Sequence, residues 1–79
     1  SIVSMPQTEI KMERTGNMVT LTNTGKHPAI GVHVEVPEKM DQLIVSENYI
    51  WLNPQESKIL KINLESPVIV KGWNLQSPY

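Results

Sequence analysis

Apolar residues in this chain recur at every second position, and the pattern restarts after each turn signal. Ile30, Val32, Val34 and Val36 keep one register against Gly31, His33 and Glu35. Ile10 and Met12 alternate with Glu9, Lys11 and Glu13, and Val19 and Leu21 with Met18, Thr20 and Thr22. Leu60, Ile62 and Leu64 share one side of residues 58–64. Period two places successive side chains on opposite faces of a strand, whereas a helical stripe would recur every three or four residues. Four β-branched residues in register at 30–36 also favour a pleated surface, because their stiff χ1 packs well there.

The breaks between these runs carry turn chemistry. Arg14-Thr15-Gly16-Asn17 reads as a turn in which Gly16 is free to take positive φ, and Asn23-Thr24-Gly25-Lys26-His27-Pro28 reads as a second. Pro37 ends the third run by removing a ladder donor. Residues 38–42 are polar and read as a helical turn or a loop, Leu43-Ile44-Val45 and Ile50 to Leu52 as short strands. Val68-Ile69-Val70 reads as a strand covered on both faces, and residues 74–79 as a tail.

Six or seven short strands with turn signals about every 8–12 residues predict an all-β fold, an immunoglobulin-like antiparallel β-sandwich. The sandwich is expected over residues 1–74, with 75–79 as a C-terminal tail. The expected inward positions are Ile10, Met12, Val19, Leu21, Ile30, Val32, Val34, Val36, Leu43, Val45, Ile50, Leu52, Leu60, Ile62, Leu64, Val68 and Val70.

Composition narrows the function. Seventy-nine residues make one domain, near the lower size at which an apolar core holds without staples. Cysteine is absent, so disulfides and thiolate metal sites are excluded and the redox compartment leaves no mark. Seven basic residues face eight acidic ones, and Arg14 is the one arginine, which argues against the several phosphate contacts of a nucleic-acid binder. No apolar run approaches the roughly 20 residues of a membrane-spanning helix. Ser1-Ile2-Val3-Ser4 starts in mid-pattern, so the expectation is a segment of a longer, modular chain.

Catalytic or metal-binding groupings do not emerge. Glu9, Glu13, Glu35, Glu38, Asp41, Glu47, Glu56 and Glu65 fall on outward strand positions, in turns or at strand ends, where nothing desolvates a carboxyl to tune it as an acid. His33 and Glu35 share a face two residues apart, but a metal site needs three or four ligands, and His27 lies in a distant turn. The expected catalytic, metal and cofactor-binding sets are therefore empty. The aromatics carry more. With Ile50 and Leu52 inward, strand alternation puts Tyr49 and Trp51 together on the opposite face, and Trp73 after Gly72 adds a third ring. Three roles remain open for them: packing against a neighbouring domain, stacking on sugar rings, or filling the core. The first is preferred. Asn48 and Asn53 are expected to fix turns through their side-chain amides.

Four motifs occur in order: Asn23-Thr24-Gly25-Lys26-His27-Pro28-Ala29, Ser46-Glu47-Asn48-Tyr49, Leu52-Asn53-Pro54-Gln55-Glu56-Ser57 and Gly72-Trp73-Asn74. Together they resemble the C-terminal immunoglobulin-like domain of glycoside hydrolase family two enzymes of the exo-β-glucosaminidase and β-mannosidase type. The resemblance spans nearly all of residues 5–74. Three positions depart from the family pattern: Glu47 stands where Asp is usual, Gln55 where Gly is usual, and Ile30-Gly31-Val32 where the strand is often aromatic-rich. The resemblance implies a parent enzyme that hydrolyses terminal β-glycosidic bonds, β-mannosides or β-glucosaminides, using two Glu on an upstream barrel. Neither of those Glu maps onto this chain. The expected role is a non-catalytic accessory domain whose partners are neighbouring domains of the same parent, with weak carbohydrate contact at Tyr49, Trp51 and Trp73 as a further expectation. A free-standing carbohydrate-binding or cell-surface module is the rival. Nucleic acid and membrane are not expected partners, and the expected setting of the parent is periplasmic or secreted, in bacteria.

Overall fold

A computed structural model describes residues 6–76. The Ser1-Ile2-Val3-Ser4 start and residues 77–79 of the expected tail lie outside the described residues. Six strands form: β1 (Ile10–Thr15), β2 (Met18–Asn23), β3 (Ala29–Glu35), β4 (Ile50–Leu52), β5 (Ser57–Lys61) and β6 (Ile69–Lys71). They make two antiparallel three-stranded sheets, ordered β1-β2-β5 and β4-β3-β6. The chain is an all-β immunoglobulin-like sandwich, and no helix among the described residues is long and apolar enough to cross a membrane.

The alternation read from sequence builds the first sheet. Thr15 pairs with Met18 across a two-residue turn, Gly16-Asn17, with Gly16 at φ 59°. Left-handed backbone at the first turn residue matches the twist of a tight hairpin. Val19 and Leu21 then face inward with Leu60 of β5, while Thr20, Thr22 and Ile59 face out. Opposite them, Ala29, Val32, Val34, Leu52 and Val70 of the second sheet complete one buried cluster.

Most expected core positions are inside. Ile10, Val19, Leu21, Val32, Val34, Val36, Leu52, Leu60, Ile62 and Val70 are buried, and Met12, Leu43, Val45, Ile50 and Val68 pack against them partly buried. Ile30 and Leu64 do not join the core. Ile30 is displaced because the β3–β4 register shifts between Ala29 and Val32, with Gly31 at φ 67°. That bulge turns Ala29 inward in place of Ile30. Leu64 lies beyond the end of β5, where the chain has left the sheet.

Residues 43–45 are not a strand. Val45 makes a single bridge to Ile62, and Asn63 intercepts the backbone before it: its Oδ1 accepts from the Ile44 amide (2.7 Å) and its Nδ2 donates to the Gln42 carbonyl (2.8 Å). Ile44 is left 71% exposed. Residues 38–42 form turns, and β6 is covered on one face only, since Val70 is buried while Val68 and Ile69 are half-buried. The fold has two layers, so the outer face of β6, to which Ile69 points, has no covering sheet.

Buried amides close the ends of the sandwich. Asn23 is fully buried; its Nδ2 donates to the carbonyls of His27 (2.7 Å) and Leu52 (2.9 Å), and its Oδ1 accepts from Thr8 Oγ1 (2.7 Å) and the Gly25 amide (3.0 Å). Asn74 donates to the carbonyls of Pro6 (2.9 Å) and Pro28 (2.7 Å) and accepts from the Ile30 amide (2.9 Å). These bonds bring the N-terminal segment, the β2–β3 turn and the chain after β6 to one point. Asn74 and Leu75, read from sequence as tail, are therefore held by the body: Leu75 bridges Thr8 in parallel and packs on the core. At the opposite end Arg14, on the inner side of β1 opposite Val19, donates from Nη2 to the Leu64 carbonyl (2.7 Å) and from Nη1 to the Ser66 carbonyl. No buried side-chain nitrogen or oxygen among the described residues lacks a partner.

Candidate aromatic face of the second sheet

The outer face of β4-β3-β6 carries the three aromatics singled out in the sequence. Tyr49, Trp51 and Trp73 are 64%, 57% and 61% exposed, so none of them fills the core. Each reaches this face by a different local device.

Trp51 follows from alternation. Ile50 packs on the core and Leu52 is buried, so Trp51 between them points out, from an edge strand. Its Nε1–H donates to Asn53 Oδ1 (2.9 Å), which ties the ring to the following turn. That turn runs Asn53-Pro54-Gln55-Glu56, with the Glu56 amide donating to the Asn53 carbonyl (2.9 Å) and Gln55 at φ 68°. Proline followed by a left-handed residue is the pattern of a type II turn, for which glycine is the favoured third residue. Gln55 therefore adopts the left-handed conformation that glycine favours.

Tyr49 does not follow from alternation. It precedes β4 and sits at φ 56°, a left-handed kink that brings its ring over β3. Asn48 holds the kink from below: its Oδ1 accepts from the Val34 amide (2.9 Å), so it links two segments instead of fixing its own turn. The Tyr49 ring stacks on His33 with centroids 4.4 Å apart and planes 24° from parallel. His33 is pinned beneath it, with Nδ1 3.0 Å from the Gly31 carbonyl oxygen and Nε2 3.0 Å from Glu35 Oε2.

Trp73 lies beyond β6, where its amide donates to the Ile30 carbonyl (2.9 Å). A β-carbon built on Gly31 would fall 2.9, 2.9 and 3.0 Å from three bonded ring atoms of Trp73, Cδ2, Cε2 and Nε1. Equal distances to three bonded atoms place that position over the ring face, not at its edge. The indole thus lies flat on the bulge, and only glycine there leaves it room.

The polar groups of the face are already engaged with one another. Glu35 accepts from His33 on one oxygen and pairs with Lys71 Nζ (3.1 Å) on the other. The His33 bond first, and Lys71 second, hold the Glu35 carboxyl below the usual carboxylate range. The His33–Glu35 pair considered from sequence as two metal ligands is thus an internal hydrogen bond, and no cluster of three or more potential metal-ligating groups occurs among the described residues. The other carboxylates are exposed. A broad depression of about 410 Å³ lies away from this face, lined by Gln7, Thr8, Glu9, Thr24, Gly25, Lys26, His27 and Gln76. Its charged lining residues, Glu9, Lys26 and His27, are all solvent-exposed.

Sequence reasoning found the rings but missed what supports them. Part of the signal was present: Asn48 and Asn74 each adjoin one of the aromatics, and a short amide beside an exposed ring is well placed to hold backbone. A family model described as the exo-beta-D-glucosaminidase Ig-fold domain matches residues 2–75. No curated protein and no solved structure matches the chain. With the match running over almost the whole sandwich, the chain belongs to the exo-beta-D-glucosaminidase Ig-fold domain family.

Proposed function

We propose that this sandwich is a non-catalytic accessory domain of a multidomain retaining β-glycosidase acting on β-glucosaminides or β-mannosides. Its role is to support the catalytic body by docking on a neighbouring domain of the same parent chain. The observation that carries this reading is the exposure of Tyr49, Trp51 and Trp73 on one sheet face of a domain of this family. Contiguous exposed aromatic surface marks a contact site, and Trp51 on the edge strand β4 is the natural anchor because its ring is already held by Asn53.

The test uses the full-length protein that carries this domain. Trp51→Ala is expected to lower the stability of the assembled protein by roughly 1–3 kcal/mol, the scale of one aromatic anchor removed from an interface. Turnover at a temperature where the protein remains folded is expected to hold. Loss of turnover with unchanged thermal stability would overturn the docking role.

A further inference from the structure

Two of the three rings differ from Trp51 in how they lie. Tyr49 rests face-down on His33, and Trp73 rests face-down on Gly31, both supports belonging to the central strand β3. Each ring has one face against its support, and with Tyr49 and Trp73 each more than half exposed the other face is open. His33 and Gly31 are two residues apart in β3, so the two supports neighbour one another on that strand. Trp51, by contrast, hangs on the neighbouring edge strand with its indole N–H committed to the β4–β5 turn.

A pair of flat, rigidly seated rings with no free charge between them suits a particular ligand chemistry. A pyranose whose substituents are equatorial presents a flat face of axial C–H groups, and these weakly positive hydrogens meet the negative face of an aromatic ring favourably. Glu35, the carboxylate beside the plates, is occupied by His33 and Lys71, so the strip offers nothing to select a charged partner. We infer that Tyr49 and Trp73 form a carbohydrate-stacking strip along β3, which takes a β-linked, equatorially substituted oligosaccharide. The strip is separate from the Trp51 anchor, and it rests on the docking reading only in placing the domain within a carbohydrate-processing chain.

The experiment is an NMR titration of the 79-residue chain with the β-1,4-linked tetrasaccharide of N-acetylglucosamine, with α-linked maltotetraose as the control. Saturable shifts are expected at Gly31, His33 and the Trp73 indole for the β-linked sugar, and affinity at least about fivefold weaker for the α-linked one, a difference of order 1 kcal/mol. Trp73→Ala and Tyr49→Asn should each weaken binding about tenfold, the loss of one stacking plate. Asparagine is chosen at 49 because it tolerates positive φ, so Tyr49→Asn removes the second plate without straining the kink. Trp51→Ala should leave affinity within about twofold, as expected for a contact outside the strip. No saturable shift at about 10 mM sugar, where even a 1 mM complex would be mostly formed, would overturn the inference, and so would shifts centred on the β1-β2-β5 face. Equal loss on Trp51→Ala would overturn the separation of strip from anchor. None of these outcomes bears on docking, which is read only in the full-length protein.

Discussion

The buried end of the sandwich and the outer face of its second sheet are built from the same short motifs, yet they use them oppositely. Asn74 and Trp73 are adjacent in sequence; the amide is buried with three hydrogen bonds, while the ring is 61% exposed. Asn48 and Tyr49 repeat the division, one bonded to the β3 backbone and the other open on the surface. In each pair the amide has a partner in the fold, and the ring's outward face has none. The difference separates what the domain needs to fold from what it presents to something else. It also gives these motifs a physical meaning, because Asn23, Asn48 and Asn74 serve the backbone while the aromatics are left over.

The comparison can be broken most directly at the amides. Asn74→Ala, or Asn23→Ala, strands buried backbone groups and is expected to cost roughly 2–4 kcal/mol. In the same chain Trp73→Ala should cost under about 1 kcal/mol, as for a surface substitution. Urea unfolding of the variants measures both, and equal losses would erase the distinction between the two regions. A smaller effect of opposite sign is expected at the turn beside Trp51. Gln55 sits at φ 68°, a region that costs a non-glycine residue about 1–2 kcal/mol and which glycine enters freely. Against this, glycine loses more backbone entropy on folding, about 0.5–1 kcal/mol. Gln55→Gly should therefore raise stability by up to about 1 kcal/mol by the difference of these terms, read as a higher urea midpoint; a lowered midpoint would show that the Gln55 side chain does more than tolerate the turn.

The smallest effect concerns the support under Tyr49. A carboxyl held below its unfolded value contributes stability that is present above that value and lost as pH falls through the folded one. Glu35 is such a group, with His33 and then Lys71 as the cause. Its bond to His33 should therefore be intact at neutral pH and loosen only in the acid range, below where an unperturbed glutamate titrates. The Tyr49 and His33 ring resonances should move in that range, and in Glu35→Gln the acid step should be missing. Persistence of the step in Glu35→Gln would assign it to another group.

The β1–β2 hairpin was legible because its contacts are local, whereas the β2–β5 pairing joins residues some forty apart. Alternation, a Gly-Asn turn and a hairpin register follow from neighbouring residues alone, and β1 and β2 pair as that pattern requires. Leu43-Ile44-Val45 misled for the converse reason: its composition suits a strand, but Asn63, nearly twenty residues away, takes its backbone groups first. The aromatic site was half legible. Trp51 follows from the period-two pattern. Tyr49 arrives by a left-handed kink, and Trp73 by a bulge at Gly31, and neither device leaves a periodic trace.

The sequence by itself determined that this chain is a two-layer β domain, which motifs mark its family, and that its rings are set apart from any reactive cluster. Those properties depend on spacing, turn residues and composition, all of which act at short range. The tertiary structure alone decided that Asn23 and Asn74 are buried fasteners, that Arg14 closes the far end, and that two rings lie flat along β3. Those outcomes depend on which distant backbone groups need a partner once the sheets have packed, and on the room a missing β-carbon at Gly31 leaves beneath an indole.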